Sequence, residues 1–112
     1  MKTRKQMVET FSGNKPENDY TMPTPTNKKR ENGTYEDYWV MKEEERKKGF
    51  VRPVRRKMTH LKCQTVTTIH QKIAETYAAN PKFYDSTFCC RCREHFPVSE
   101  FHWTGTDEEV GS

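Results

Sequence analysis

His60-Leu61-Lys62-Cys63 and Cys89-Cys90-Arg91-Cys92 each set two metal-binding side chains three residues apart. At that spacing a tight backbone turn points both side chains at one ion. Two such turns supply four ligands in a tetrahedron, the arrangement Zn²⁺ takes in closed structural sites. About 25 residues lie between the pairs, room for a helix and a returning strand. Each pair follows an extended run, as knuckles do in zinc ribbons. The expected ligands are His60, Cys63, Cys89 and Cys92, holding one structural zinc. His95 is the alternative fourth ligand, with His70 and His102 also available. Cys90, inside the second pair, is expected to face away from the ion.

The rest of the chain explains why a metal would be needed. Only 31% of the 112 residues are hydrophobic and 32% are charged, a lean supply for a core. No apolar run is long enough to span a bilayer, and the polar N-terminus is unlike a secretory signal. A cytoplasmic setting with reduced thiols is therefore expected, where four cysteines point to metal before disulfides. The net charge of +4 permits an anionic partner without requiring one.

Residues 1–33 read as a disordered tail, rich in Asn, Pro, Thr, Lys and Glu with no apolar period. Residues 34–112 read as the zinc-stabilised module. The expected fold is small α+β: a zinc-ribbon or zinc-knuckle-like module of short strands with one α-helix. Glu43 to Gly49 reads as a helical turn or two, acid first, base last and glycine as the stop. Phe50 to Cys63 reads as an extended edge segment, since Pro53 argues against a central strand. Thr65 to Thr68 is expected to start the helix, with Thr68 and Gln71 as a capping box. Ile69, Ile73 and Tyr77 form its apolar stripe, and Asn80-Pro81 ends it. A second extended run, Lys82 to Phe88, leads into Cys89. His95 to Trp103 suggests a turn and a short strand.

Several of these motifs together resemble a group of small bacteriophage and prophage proteins of unassigned function. They are Gly49-Phe50-Val51-Arg52-Pro53-Val54-Arg55-Arg56, His60-Leu61-Lys62-Cys63, Glu75-Thr76-Tyr77-Ala78, Pro81-Lys82-Phe83-Tyr84, Thr87-Phe88-Cys89-Cys90-Arg91-Cys92 and His95-Phe96-Pro97-Val98. The resemblance covers roughly residues 34–111. It implies expression in a bacterial host cytoplasm and supports the same four ligands, but it supplies no activity. Gln64 departs from the knuckle pattern, which favours Gly after the second ligand because the turn there takes positive φ.

Four filled ligand positions argue against catalytic zinc, which keeps one position open for water. No catalytic residues are assigned, and no carboxylate pair or glycine-rich phosphate loop stands out. A nuclease of the His-Asn-His kind is a minor alternative. The leading expectation is a binding module that captures a host protein, in host takeover or inhibition of a defence. The alternative is nucleic-acid binding through the basic segment 46–62, with Arg52, Arg55, Arg56, Lys57 and Lys62, and Arg91 on the other knuckle. Tyr35, Tyr38 and Trp39 could stack on bases or fill a core. Oligomeric state is left open.

Overall fold

In a computed structural model describing residues 4–111, the two ligand-bearing turns are built alike. Strand β3, Lys57–His60, and strand β5, Ser86–Cys89, each end on the first ligand of a pair. The chain then turns, and the amide four residues later closes the loop: Gln64 N donates to His60 O at 2.7 Å, and Arg93 N to Cys89 O at 2.8 Å. Gln64 has φ 60° and Arg93 φ 58°. The left-handed position that favours glycine is therefore present in both turns, filled by residues with a Cβ. At Gln64 the side chain compensates, donating from Nε2 to Leu61 O at 2.6 Å.

After each turn a strand returns antiparallel. β4, Val66–Thr68, pairs with β3 in the register Met58 opposite Thr67. β6, Glu94–Pro97, pairs with β5 with Cys89 opposite Glu94. This corrects the expected helix start at Thr65 to Thr68. Val66, Thr67 and Thr68 are β-branched, and the hairpin uses them as a strand. The main helix, α3, runs Gln71–Ala79. Its cap is His70, whose Nδ1 accepts from Lys72 N at 3.1 Å. The Thr68–Gln71 capping box does not form: Thr68 is paired with Lys57, and Gln71 Nε2 reaches Glu75 at 3.0 Å. Asn80 closes the helix through Thr76 O.

β7, Phe101–Trp103, pairs with the other side of β3, so the sheet order is β4-β3-β7. The expected edge segment is thus corrected to a central strand. Pro53 lies outside it, because pairing begins only at Lys57. Inward residues of β3 and β7 meet α3 in one cluster of Met58, Ile69, Ala74, Tyr77, Cys89, Phe101, Trp103 and Val110. Phe96 and Val98 pack against its margin.

The N-terminal part, expected as a disordered tail, carries short elements. Short helix α1, Arg4–Met7, leads into β1, Val8–Thr10, which pairs with β2, Trp39–Met41. Between them, Ser12 donates from N and Oγ to the Asp37 carboxylate, and Trp39 Nε1 donates to Met22 O at 2.8 Å. Residues 28–36 fold back on themselves, with Arg30 N donating to Thr34 O at 2.7 Å and Glu36 N to Lys28 O at 2.9 Å. At the tip of that loop Gly33 has φ 94° and lies against the second knuckle. A Cβ there would stand 2.3 Å from Arg93 O. The expected boundary between residues 33 and 34 falls within this loop. Residues 1–3 and 112 lie outside the described residues.

α2, Glu43–Arg46, has its acids in the first turn as expected, and Gly49 follows at φ 140°. The fold class is small α+β, with three helices and antiparallel strands among the described residues. Among these residues no helix is long and apolar enough to cross a membrane.

Candidate metal centre

The two turns face each other and bring His60, Cys63, Cys89 and Cys92 together, with all four ligand atoms within 4.8 Å of one another. Cys63 Sγ lies 3.4 Å from His60 Nδ1 and 3.5 Å from Cys89 Sγ, and Cys92 Sγ lies 3.9 Å from the same Nδ1. Four donors at such mutual distances could hold one metal ion between them. His60 and Cys89 are buried, Cys63 and Cys92 half-buried.

The imidazole of His60 is fixed on every side. Phe96 and Phe101 stack on its two faces, at centroid distances of 4.5 and 4.6 Å. Its Nε2 meets Glu100 Oε1 at 3.0 Å. A carboxylate only accepts, so the proton sits on Nε2 and the Nδ1 lone pair is directed at the thiols. This is the outer-shell carboxylate that metal-binding histidines commonly carry. Glu100 is itself held, since Leu61 N donates to its carbonyl at 2.9 Å and Lys62 Nζ stands 3.4 Å from its carboxylate. The His60 hydrogen bond, working against partial burial and aided by Lys62, keeps the Glu100 carboxyl below the usual range. Sequence reasoning missed Glu100, because 40 residues separate it from His60 and no spacing rule links them.

The thiols are unlike one another. Burial opposes ionisation of Cys63, but hydrogen bonds from the Thr65 hydroxyl and amide and from Cys89 outweigh it and bring the thiol down to about 6. Burial, then hydrogen bonding to Cys89 and Cys63 and the charge developing on them, pushes Cys92 up to about 11. A divalent ion would draw the thiol protons off.

His95 is not brought into the cluster. It lies on β6 beside Tyr35 and Phe88, at centroid distances of 5.2 and 5.5 Å. Partial burial there, with the Lys29 charge, holds it below the usual histidine range. His70 caps α3, and His102 stands opposite Thr59 in the sheet. Cys90 is exposed; its amide donates to Thr67 Oγ1 and its thiol to Val66 O.

The basic residues divide. Arg55 lies over the Trp103 ring at 4.7 Å and pairs with Glu108, while its buried Nε has no hydrogen-bond partner. Arg56 Nε donates to Ile69 O at 3.1 Å. Arg46 is buried, bound to Met41 O, Glu75 and Glu9. Arg52, Lys57, Lys62 and Arg91 are exposed. Beside Arg52, Phe50, Val51 and Val54 expose 48%, 63% and 36% of their surface, much for so apolar-poor a chain. Comparison with protein-family models, with curated proteins and with solved structures finds no match to this chain.

Proposed function

We propose that the chain is a zinc-stabilised binding module, without catalytic chemistry of its own, that captures a protein. Zinc is favoured by the donor set of three thiols and one imidazole. Zn–S bonds of about 2.3 Å and Zn–N bonds of about 2.0 Å place tetrahedral donors about 3.5–3.8 Å apart, close to the separations found. Bound there, the ion would cross-link two hairpins, with all four positions taken by protein.

The observation that carries protein binding is the segment Phe50 to Val54. Its backbone is pinned to the end of α3, with Val51 N and Arg52 N both donating to Ala78 O at 2.8 and 3.1 Å. Phe50, Val51 and Val54 are thereby displayed from a fixed loop, around Arg52 and Pro53. Preordered apolar surface with one arginine is what a protein contact uses. The resemblance to phage proteins makes a bacterial cytoplasmic protein the expected target.

The test is affinity capture from a nuclease-treated bacterial lysate with the wild-type chain and with the Phe50→Ser/Val51→Ser variant at equal zinc content. The expected result is a discrete partner lost from the variant. A partner retained equally by both chains removes this surface from the function.

One observation favours nucleic acid as a second reading. Lys62 and Arg91 occupy the same place in the two knuckles, two residues beyond the first ligand, and Lys57 opens the strand that leads into the first. Because Arg55 is engaged with Glu108 and Trp103, the phosphate contacts would fall to Arg52, Arg56, Lys57, Lys62 and Arg91. Replacing Lys57 and Arg91 by Ala should then flatten the log–log salt dependence of duplex binding by about two units. The His-Asn-His nuclease reading gains no support. Among the described residues the only helical segment after the second knuckle is the three-residue turn Val98–Glu100, which carries no histidine.

A further inference from the structure

A cavity of about 470 Å³ opens between the N-terminal segment and the C-terminal half. Tyr35, Tyr38 and Trp39 line it from one side, and Phe83, Tyr84 and Phe88 from the other. None of the four metal-site residues and none of Phe50, Val51 and Val54 reaches it. It is therefore separate from both features used above.

Its charge runs against that of the chain. The protein has 20 Lys and Arg and a net charge of +4. Yet no Lys or Arg lines this cavity, and its one carboxylate is Asp85. The remaining polar lining is mostly hydroxyl, from Thr and Ser, with His70 and His95. Positive charge is confined to the mouth, where Lys29 stands over Tyr35, and the only charged side chain of the lining itself is Asp85.

We propose that this cavity binds an organic cation of the quaternary or methylated ammonium type, held against the aromatic faces with Asp85 as the counter-charge. Such cations are attracted to the negative faces of aromatic rings, most strongly where water is excluded. The Tyr38 phenol is half-buried, and that partial loss of water raises its pKa. The chain already makes one contact of this kind at the rim, where the Lys29 ammonium stands 5.1 Å from the Tyr35 centroid. Lys29 then competes with an arriving cation for Tyr35 and repels it, so removing its charge strengthens binding.

The same ammonium chemistry can come from a free amine or from a methylated lysine on another protein. The test is an NMR titration of the zinc-loaded full chain, following the Trp39 indole N–H. The probes are choline, its uncharged isostere 3,3-dimethylbutanol, and a short peptide carrying trimethyl-lysine. Choline should give a saturable shift and bind about fivefold more tightly than the alcohol. Asp85→Asn should weaken choline about threefold or more, and Lys29→Gln should tighten it. Tighter binding of the peptide than of choline assigns the cation to a partner's side chain, and the reverse order to a free amine. The proposal is overturned if the alcohol matches choline, if Asp85→Asn leaves choline affinity unchanged, or if no saturable shift appears.

Discussion

Residues 57–111 bury Met58, Tyr77, Phe101, Trp103 and Val110 in one cluster, with the ligand turns at its margin. Residues 4–41 bury Val8, Trp39, Val40 and Met41 outside that cluster, and the rest of the segment is held by turn and side-chain hydrogen bonds. The joint between the two regions combines ring contacts, such as Phe11 with His70, with polar ties. Met41 N donates to Thr76 Oγ1 at 3.2 Å, Tyr84 Oη to Trp39 O, and Arg46 ties Met41 O to Glu75 and Glu9. Apolar burial scales with area and is spread over many contacts. Polar joints of this kind contribute about 1 kcal/mol each and fail one at a time. The N-terminal region is thus the part expected to open locally, and the half with the candidate metal site the part that sets global stability.

The largest test of that contrast is removal of the metal. Metal binding in small modules contributes on the order of 10 kcal/mol of apparent folding free energy. Chelation, or Cys89→Ser at the fully buried ligand, should unfold residues 57–111 and release the N-terminal region with them. Near-ultraviolet circular dichroism of the Trp103 environment, followed during chelator titration, reads this directly. An unchanged spectrum at full chelation would break the comparison, since the apolar cluster would then stand alone. Cys90→Ser should leave the spectrum unaltered, because that thiol makes only an exposed contact with Val66 O.

Arg46→Ala comes next. It leaves Met41 O and the two carboxylates without their cation, at a cost of about 1–3 kcal/mol. Amides of Val8 to Thr10 and Trp39 to Met41 should exchange about tenfold faster or more, while those of Met58 to His60 keep their protection. Equal acceleration in both halves would mean that the two regions unfold as one.

What the sequence disclosed follows the same division. His60, Cys63, Cys89 and Cys92 were legible because ligand spacing is local and each pair folds through its own turn. The end of α3 at Asn80-Pro81 and the charge order of α2 were legible for the same reason. Glu100, Asp37, Met22 O and Gly33 were not. Each acts on a partner 17 or more residues away, and nothing at its own position names that partner. His70 displaced the expected cap because the hairpin had already taken Thr68 into β4. Pro53 misled only because the strand begins later than the apolar run does.

Glu100→Gln sharpens the metal side of the contrast. The amide can still accept from His60 Nε2 but carries no charge to raise the basicity of the ring. Metal affinity should fall about 10-fold to 100-fold, as for other outer-shell partners. A competition titration against a chromophoric chelator measures it, and protection of β1 should not change. Gly33→Ala sharpens the other side. Positive φ alone costs an alanine about 1 kcal/mol, and the contact with Arg93 O forces the loop outward. The nuclear Overhauser contacts between Tyr35 and His95 should disappear while metal affinity is kept. Their persistence would show that the loop is held by something other than the close approach at Gly33.

The smallest effect concerns the two left-handed turn residues. A residue with a Cβ at φ near 60° costs about 1 kcal/mol relative to glycine, and glycine gives back about 0.5–1 kcal/mol in chain entropy. The two terms nearly cancel, so local contacts decide the sign. Gln64→Gly also loses the bond from Nε2 to Leu61 O, and should be neutral to slightly destabilising. Arg93 has no such bond to the turn, and the Gly33 contact is mainly with its carbonyl, which the substitution keeps. Arg93→Gly should therefore stabilise the C-terminal half by a few tenths of a kcal/mol and leave the docked loop in place. Urea unfolding at a fixed excess of zinc, with both variants side by side, resolves the order. If Gln64→Gly proves the more stable, the Leu61 bond contributes nothing, and the two turns differ for some reason other than their side chains.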